Sequence, residues 1–207
     1  MLLGNYKMYD VYEVVREFEK ELSEYTGAPY VVCVDSSTNA LFLCCYRKEV
    51  DIVTIPKHTY LSVPMSIIHS GGEVRFEDLE WKGIYQLKPY SIWDSAKRMK
   101  RDMYIKGSYM TLSFHMQKHI PIGKGGAILC DNKNDYEWFK KARYEGRSEV
   151  SYHEDDIEFM GWNMYMTPRD AIRGMELVQD LPDDNKDLIE DPQYKDLTTF
   201  KVFNIYK

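Results

Sequence analysis

SFHMQKHIPIGKGG occupies residues 113–126. A serine closes the apolar run YMTLS (109–113), Lys118 follows, and the Gly-x-Gly-Gly turn of residues 123–126 opens a second run, GAILC (126–130). A lysine that is to attack a carbonyl must be held in place and shielded from water, because only the neutral amine is a nucleophile. The glycines let the backbone double back tightly before the next strand. Taken alone, the segment is also what a surface lysine beside an ordinary glycine hairpin looks like. Its surroundings therefore carry weight.

Working outward, both apolar runs read as strands, and GAILC has a polar turn after it. Residues 135–144 and 168–181 then read as helices, with Pro168 suited to a first turn. Toward the N-terminus, residues 11–25 carry Val11, Val14, Val15, Phe18 and Leu22 at helical spacing, stopped by Thr26 and Gly27. YVVCV (30–34) is a buried strand, Asp35 to Thr38 a polar turn, and residues 39–46 a helix. DIVTI (51–55) is a strand, residues 61–69 a helix, 73–76 a short strand, and 91–93 a weaker strand ending at Asp94. Alternating strands and helices predict an α/β fold with a mostly parallel central sheet and flanking helices. We expect a single compact domain over residues 1–181 and an extended surface tail, rich in Asp, Pro and Lys, over 182–207.

Composition narrows the function. The net charge of -6 gives little counterion release, so nucleic acid is not an expected partner. The basic run at Lys97, Arg98, Lys100 and Arg101 reads as a solvated face. Cys33, Cys44, Cys45 and Cys130 form no C-x-x-C pair, which argues against a zinc or disulfide framework. His115 and His119 share an HxxxH spacing, but no carboxylate follows at a useful distance, so no metal is expected. No apolar run approaches the ~20 residues of a membrane span, and the N-terminus lacks the pattern of a signal peptide. A cytoplasmic protein is the simplest expectation.

Five segments, in order, resemble the DegT/DnrJ/EryC1/StrS family of nucleotide-sugar aminotransferases, which use pyridoxal phosphate (PLP). They are FEKELSEYTGAPYVVCVDSSTNAL from residue 18, IPKHTYLSVPMSIIHSGG from 55, IWDSA from 92, SFHMQKHIPIGKGGAIL from 113 and GWNMYMTPRDAIRG from 161. IWDSA is similar to the family's E-D-x-A motif. The resemblance implies a reduced fold type I large domain, with the family's C-terminal small domain absent and the stretch between Gly72 and Asp94 compressed.

The same resemblance assigns roles. Lys118 would be the Schiff-base lysine, forming the internal aldimine and shuttling a proton. Asp94 would pair with the pyridine nitrogen; alone it would read as a strand-end cap. Ser37 and Thr38, otherwise an ordinary helix cap, would hold the cofactor phosphate with Ser113. Tyr60, otherwise a core tyrosine, would stack on the pyridine ring. Asn163, otherwise a turn asparagine, would reach a neighbouring subunit's site in a homodimer with shared active sites. Lys97 stands where relatives carry Gln or His against the phenolic oxygen, and Tyr165 where they often carry Arg or Asn.

The implied reaction moves an amino group from glutamate or glutamine to a nucleotide-linked keto-sugar. Two alternatives remain at this level. One is a non-catalytic or accessory sugar-nucleotide-binding protein. The other is a PLP-dependent sugar dehydratase, whose relatives carry His at the lysine position; Lys118 argues against it.

Overall fold

A computed structural model of the chain describes residues 12–189 and 194–206. Helix α1 (Glu13–Thr26) buries Val14, Val15, Phe18 and Leu22, the stripe its periodicity marks. Residue 11, the expected start, lies outside the described residues. Strand β1 (Tyr30–Val34) follows. Helix α2 (Ser37–Arg47) begins at Ser37 rather than 39, because the Ser36 hydroxyl accepts the Asn39 N–H at 3.1 Å and caps it. Next come β2 (Ile52–Pro56), α3 (Ser62–His69), β3 (Glu73–Glu77), β4 (Tyr85–Gln86), β5 (Ile92–Asp94), β6 (Tyr109–Ser113) and β7 (Gly126–Cys130). Helices α4 (Lys133–Ala142) and α5 (Pro168–Val178) start where Asn132 and Thr167 cap them.

The main sheet has the order β1-β7-β6-β5-β4. The parallel pair β2·β3 joins its β4 side through two backbone hydrogen bonds between Thr54 and Lys88, at 2.8 and 3.1 Å. The α/β class holds, but the sheet is mixed rather than mostly parallel. β2·β3 and β5·β6 are parallel, whereas β1·β7, β6·β7 and β4·β5 are antiparallel. Chain length gives the reason for β4·β5. Only residues 87–91 separate those strands, and a parallel pair needs a crossover of about a dozen residues. The compressed stretch therefore folds back as a hairpin.

Helices cover both faces of the sheet. Val32, Val34 and Ile128 point to the side of α2, α3 and α4. Val31, Cys33, Ala127 and Leu129 point to the side of α1 and α5. The strands are apolar at successive positions because both faces are buried. Edge strand β1 is closed off by a buried ion pair. Glu19 accepts the Cys33 N–H, and Arg143 donates to both Glu19 and the Cys33 carbonyl.

The tail is not confined to the surface. Leu197 and Phe203 are buried, Leu197 N–H donates to the Lys57 carbonyl at 2.9 Å, and Asp187 pairs with Arg98. All four cysteines are buried free thiols. No helix among the described residues is long and apolar enough to cross a membrane.

Candidate active site

Three chain reversals converge on one cavity of about 300 Å³. Asp94 is the last residue of β5, Ser113 the last of β6, and the chain leaving β1 turns at Ser36 into α2. Seven of the eight expected residues line this cavity: Ser37, Thr38, Tyr60, Asp94, Lys97, Ser113 and Lys118. The eighth, Asn163, does not. Its amide donates to Glu145 at 3.0 Å, away from the pocket.

The loop from β6 to β7 is tied across its neck. Phe114 N–H donates to the Gly125 carbonyl and Gly123 N–H to the Phe114 carbonyl, each at 3.0 Å. Gly125 has φ +149°, and a Cβ there would sit 3.0 Å from Met166 and 3.2 Å from Phe114. Phe114 is itself buried against Phe18. The loop that carries Lys118 is thus anchored in the α1-side core. Lys118 N–H closes a turn onto the His115 carbonyl at 2.9 Å.

Gly126 makes the other end of the pocket possible. A Cβ there would lie 2.5 Å from the Ser36 carbonyl carbon and the Ser37 nitrogen. Its absence lets the first turn of α2 pack directly onto β7. Among the described residues, the backbone N–H groups of Ser37 and Thr38 have no backbone acceptor. They are the free donors of a helix start, with the positive end of the helix dipole behind them. The Thr38 hydroxyl donates to Ser62 at 2.9 Å. Outside the cradle, Asp35 accepts from Asn39 and Lys124 at 2.6 and 3.3 Å.

Asp94 is buried, with 6% of its surface exposed. Its Oδ1 accepts the Ala96 N–H and its Oδ2 the Tyr85 hydroxyl, both at 2.9 Å. Burial pushes its proton affinity up. The Ala96 amide, the Tyr85 hydroxyl and the charges of Lys118 and Lys97 pull it back. A cationic group placed against Asp94 would add to that pull. Burial and the adjacent Asp94 charge hold the Tyr85 phenol well above the usual range, so it keeps its proton and donates.

Sequence reasoning missed the aromatic wall. The Lys97 ammonium lies 4.9 Å from the Trp81 ring centre and 4.3 Å from that of Tyr194. The two rings are within 14° of parallel, so the cation sits on aromatic faces. Tyr194 comes from the tail, fixed by the 2.9 Å contact between its carbonyl and His58 Nδ1. Tyr60 is 54% exposed at the mouth, its ring 6.1 Å from that of Tyr194. Tyr85 was missed as well, because β4 is too short to read as a strand, and so was Thr59, in the connection from β2 to α3. No group of three or more His, Cys, Asp or Glu that could hold a metal occurs among the described residues.

A free-donor helix start, a buried carboxylate and a lysine lining one cavity fit a ligand with an anionic group and a basic ring nitrogen. PLP has this form, and the residues present suit it. Sheet order and helix placement define the α/β fold of the fold type I, PLP-dependent aminotransferases. AtS13 from Actinomadura melliaura superposes with a TM-score of 0.70 at 20% identity, covering 81% of this chain and 60% of that one. The aminotransferase from Psychrobacter cryohalolentis gives 0.69 at 17% identity, covering 81% and 56%.

The sequence model of the DegT/DnrJ/EryC1/StrS aminotransferase family matches residues 3–98 and 100–187, and the chain belongs to that family. A curated relative, the spore coat polysaccharide biosynthesis protein SpsC of Bacillus subtilis, is 37% identical over 228 residues. That match covers 83% of this chain and 58% of the relative. The aligned span is longer than the 207 residues of this chain. SpsC therefore holds residues inside the matched region that this chain lacks.

Proposed function

We propose that this chain binds PLP and transfers an amino group from an amino acid, glutamate or glutamine, to a nucleotide-linked keto-sugar. The observation that carries the reading is that Lys118 and Asp94 line one pocket together with the free-donor start of α2. When bound, PLP supplies an electron sink that stabilises negative charge at the carbon bearing the amino group. The chain's own residues do the rest.

The Ser37 and Thr38 amides, with the Ser37 and Ser113 hydroxyls, hold the phosphate at the positive end of α2. Asp94 would accept from the pyridine nitrogen and favour its protonated form, since an ionised carboxylate in a buried site favours a cationic partner. Tyr60, at the mouth, offers an aromatic face to the ring. Lys97, on the aromatic wall, supplies a fixed positive charge for the phenolic oxygen. Lys118 would be the attachment point for the cofactor, and its Nζ would hold and release the proton in both halves of the reaction. The donor leaves as its 2-oxo acid, and the sugar carbonyl becomes an amine, so the amino group and the carbonyl oxygen exchange places.

Asn163, on the α4–α5 connection and outside this pocket, belongs in this reading to the site of a second copy in a homodimer. The likeness to SpsC, a polysaccharide biosynthesis protein, supports a sugar destined for polysaccharide as the acceptor. Steady-state kinetics with an amino donor and a nucleotide-linked keto-sugar test the reading. Parallel double-reciprocal lines are expected, and intersecting lines would overturn the shared-lysine mechanism.

A further inference from the structure

We propose that Tyr85, backed by Thr59, is a positioning residue that fixes the Asp94 carboxylate in the orientation its partner needs. Tyr85 and Asp94 are directly opposed in the antiparallel register of β4 and β5. Opposed residues present their side chains to the same face, and here the phenol reaches Oδ2 at 2.9 Å. An ionised carboxylate only accepts, so the phenol donates to it. The Thr59 hydroxyl, 2.7 Å from the Tyr85 oxygen, must then be the donor in that second contact. The chain runs Thr59 to Tyr85 to Asp94, and all three residues are buried.

Two donors on different oxygens settle the carboxylate's rotation. Ala96 N–H holds Oδ1 and Tyr85 holds Oδ2, each at 2.9 Å. Neither donor uses up its oxygen, so each keeps acceptor capacity for the pocket. The Trp81 ring, 4.7 Å from that of Tyr85, packs the phenol in place. The device depends on the compressed stretch. With residues 87–91 as the only connection, β4 must run antiparallel, and that register opposes Tyr85 to Asp94. A parallel β4 reached by a longer crossover would not give this pairing.

This inference rests on the proposed role of Asp94 as the partner of a pyridine nitrogen, but its test also has a readout that needs no cofactor. The groups facing Asp94 are Tyr85 from β4, the Ala96 amide, Lys97 and Lys118. The full chain, labelled with 13C at aspartate carboxyl carbons, is titrated as wild type, Tyr85→Phe and Thr59→Val. Asp94→Asn identifies the resonance. Tyr85→Phe keeps the ring and its packing and removes only the donor.

The Asp94 pKa should rise by about one pH unit in Tyr85→Phe and by less, in the same direction, in Thr59→Val. PLP affinity of Tyr85→Phe should fall about tenfold, the equivalent of one pKa unit. An Asp94 titration unchanged in Tyr85→Phe overturns the inference, whatever happens to PLP. A shifted titration in Tyr85→Phe, together with a wild type that takes no PLP, leaves the positioning contact standing and removes the proposed function instead.

Discussion

Replacing Gly126 by alanine tests the phosphate cradle and the packing behind it together. The new Cβ would sit 2.5 Å from the Ser36 carbonyl carbon and the Ser37 nitrogen, and 2.8 Å from the Ser36 oxygen. Ordinary carbon contacts lie near 3.5–4.0 Å, so the start of α2 must retreat by about 1 Å. The obstacle is backbone on one side and a strand paired on both edges on the other, because Gly126 opposes Val34 in β1 and Ser113 in β6. Overpacking of this kind costs roughly 1–3 kcal/mol. With a urea slope near 2 kcal/mol/M, the unfolding midpoint should fall by about 0.5–1.5 M. The same retreat moves the Ser37 and Thr38 N–H groups. A hydrogen bond to a charged group is worth about 1.5–3 kcal/mol, so losing one should weaken PLP binding roughly ten- to a hundredfold. Urea unfolding and PLP titration by fluorescence read the two effects separately. Wild-type stability in Gly126→Ala would refute the packing. A lowered midpoint with wild-type PLP affinity would refute the cradle.

Arg143→Met should destabilise the fold by about 3–5 kcal/mol, because Glu19 would be left charged and buried. The double variant with Glu19→Leu should recover much of that in urea unfolding; equal stability of Arg143→Met and wild type would contradict the role given to the pair. Asp187→Asn tests the tie between the tail and the domain. Arg98 donates to both oxygens of Asp187, at 2.8 and 2.6 Å, and these bonds hold its carboxyl below the usual range. A lowered folded pKa adds stability that is present above the unfolded value, near pH 4, and is lost as pH falls through the folded one. Asp187→Asn should therefore cost roughly 1–2 kcal/mol at pH 7 and progressively less below about pH 4. A pH-independent difference would contradict this.

Much of the fold was legible because burial on both faces of the sheet writes itself as short apolar runs. YVVCV, YMTLS and GAILC became β1, β6 and β7 with the expected bounds. Helix starts were less exact. Capped by Ser36 and Asn132, α2 and α4 start two residues ahead of the expected positions, because side-chain caps are set by a single hydrogen bond that periodicity does not register, whereas α5 starts at Pro168 as expected. Strand direction was not legible, since alternation of elements gives the class and connection length gives the direction. The two-residue strand β4 carries no periodic signal, so Tyr85 and its contact with Asp94 were hidden with it. Tyr194 lies in a segment whose composition reads as surface, and only tertiary contacts bring it to Lys97. Seven pocket residues were found from motif resemblance, because residues at strand ends and at a helix start converge without being adjacent in sequence.

The most direct measurement is covalent capture of PLP by the full chain, as wild type and as Lys118→Ala. Protein mixed with PLP is reduced with borohydride, digested and mapped by mass spectrometry. The cofactor's mass should appear on the peptide that holds Lys118 in the wild type, and be missing there in Lys118→Ala. A folded wild type that retains no PLP on Lys118 would contradict the assignment and favour a protein that keeps this fold to bind sugar nucleotides without the chemistry.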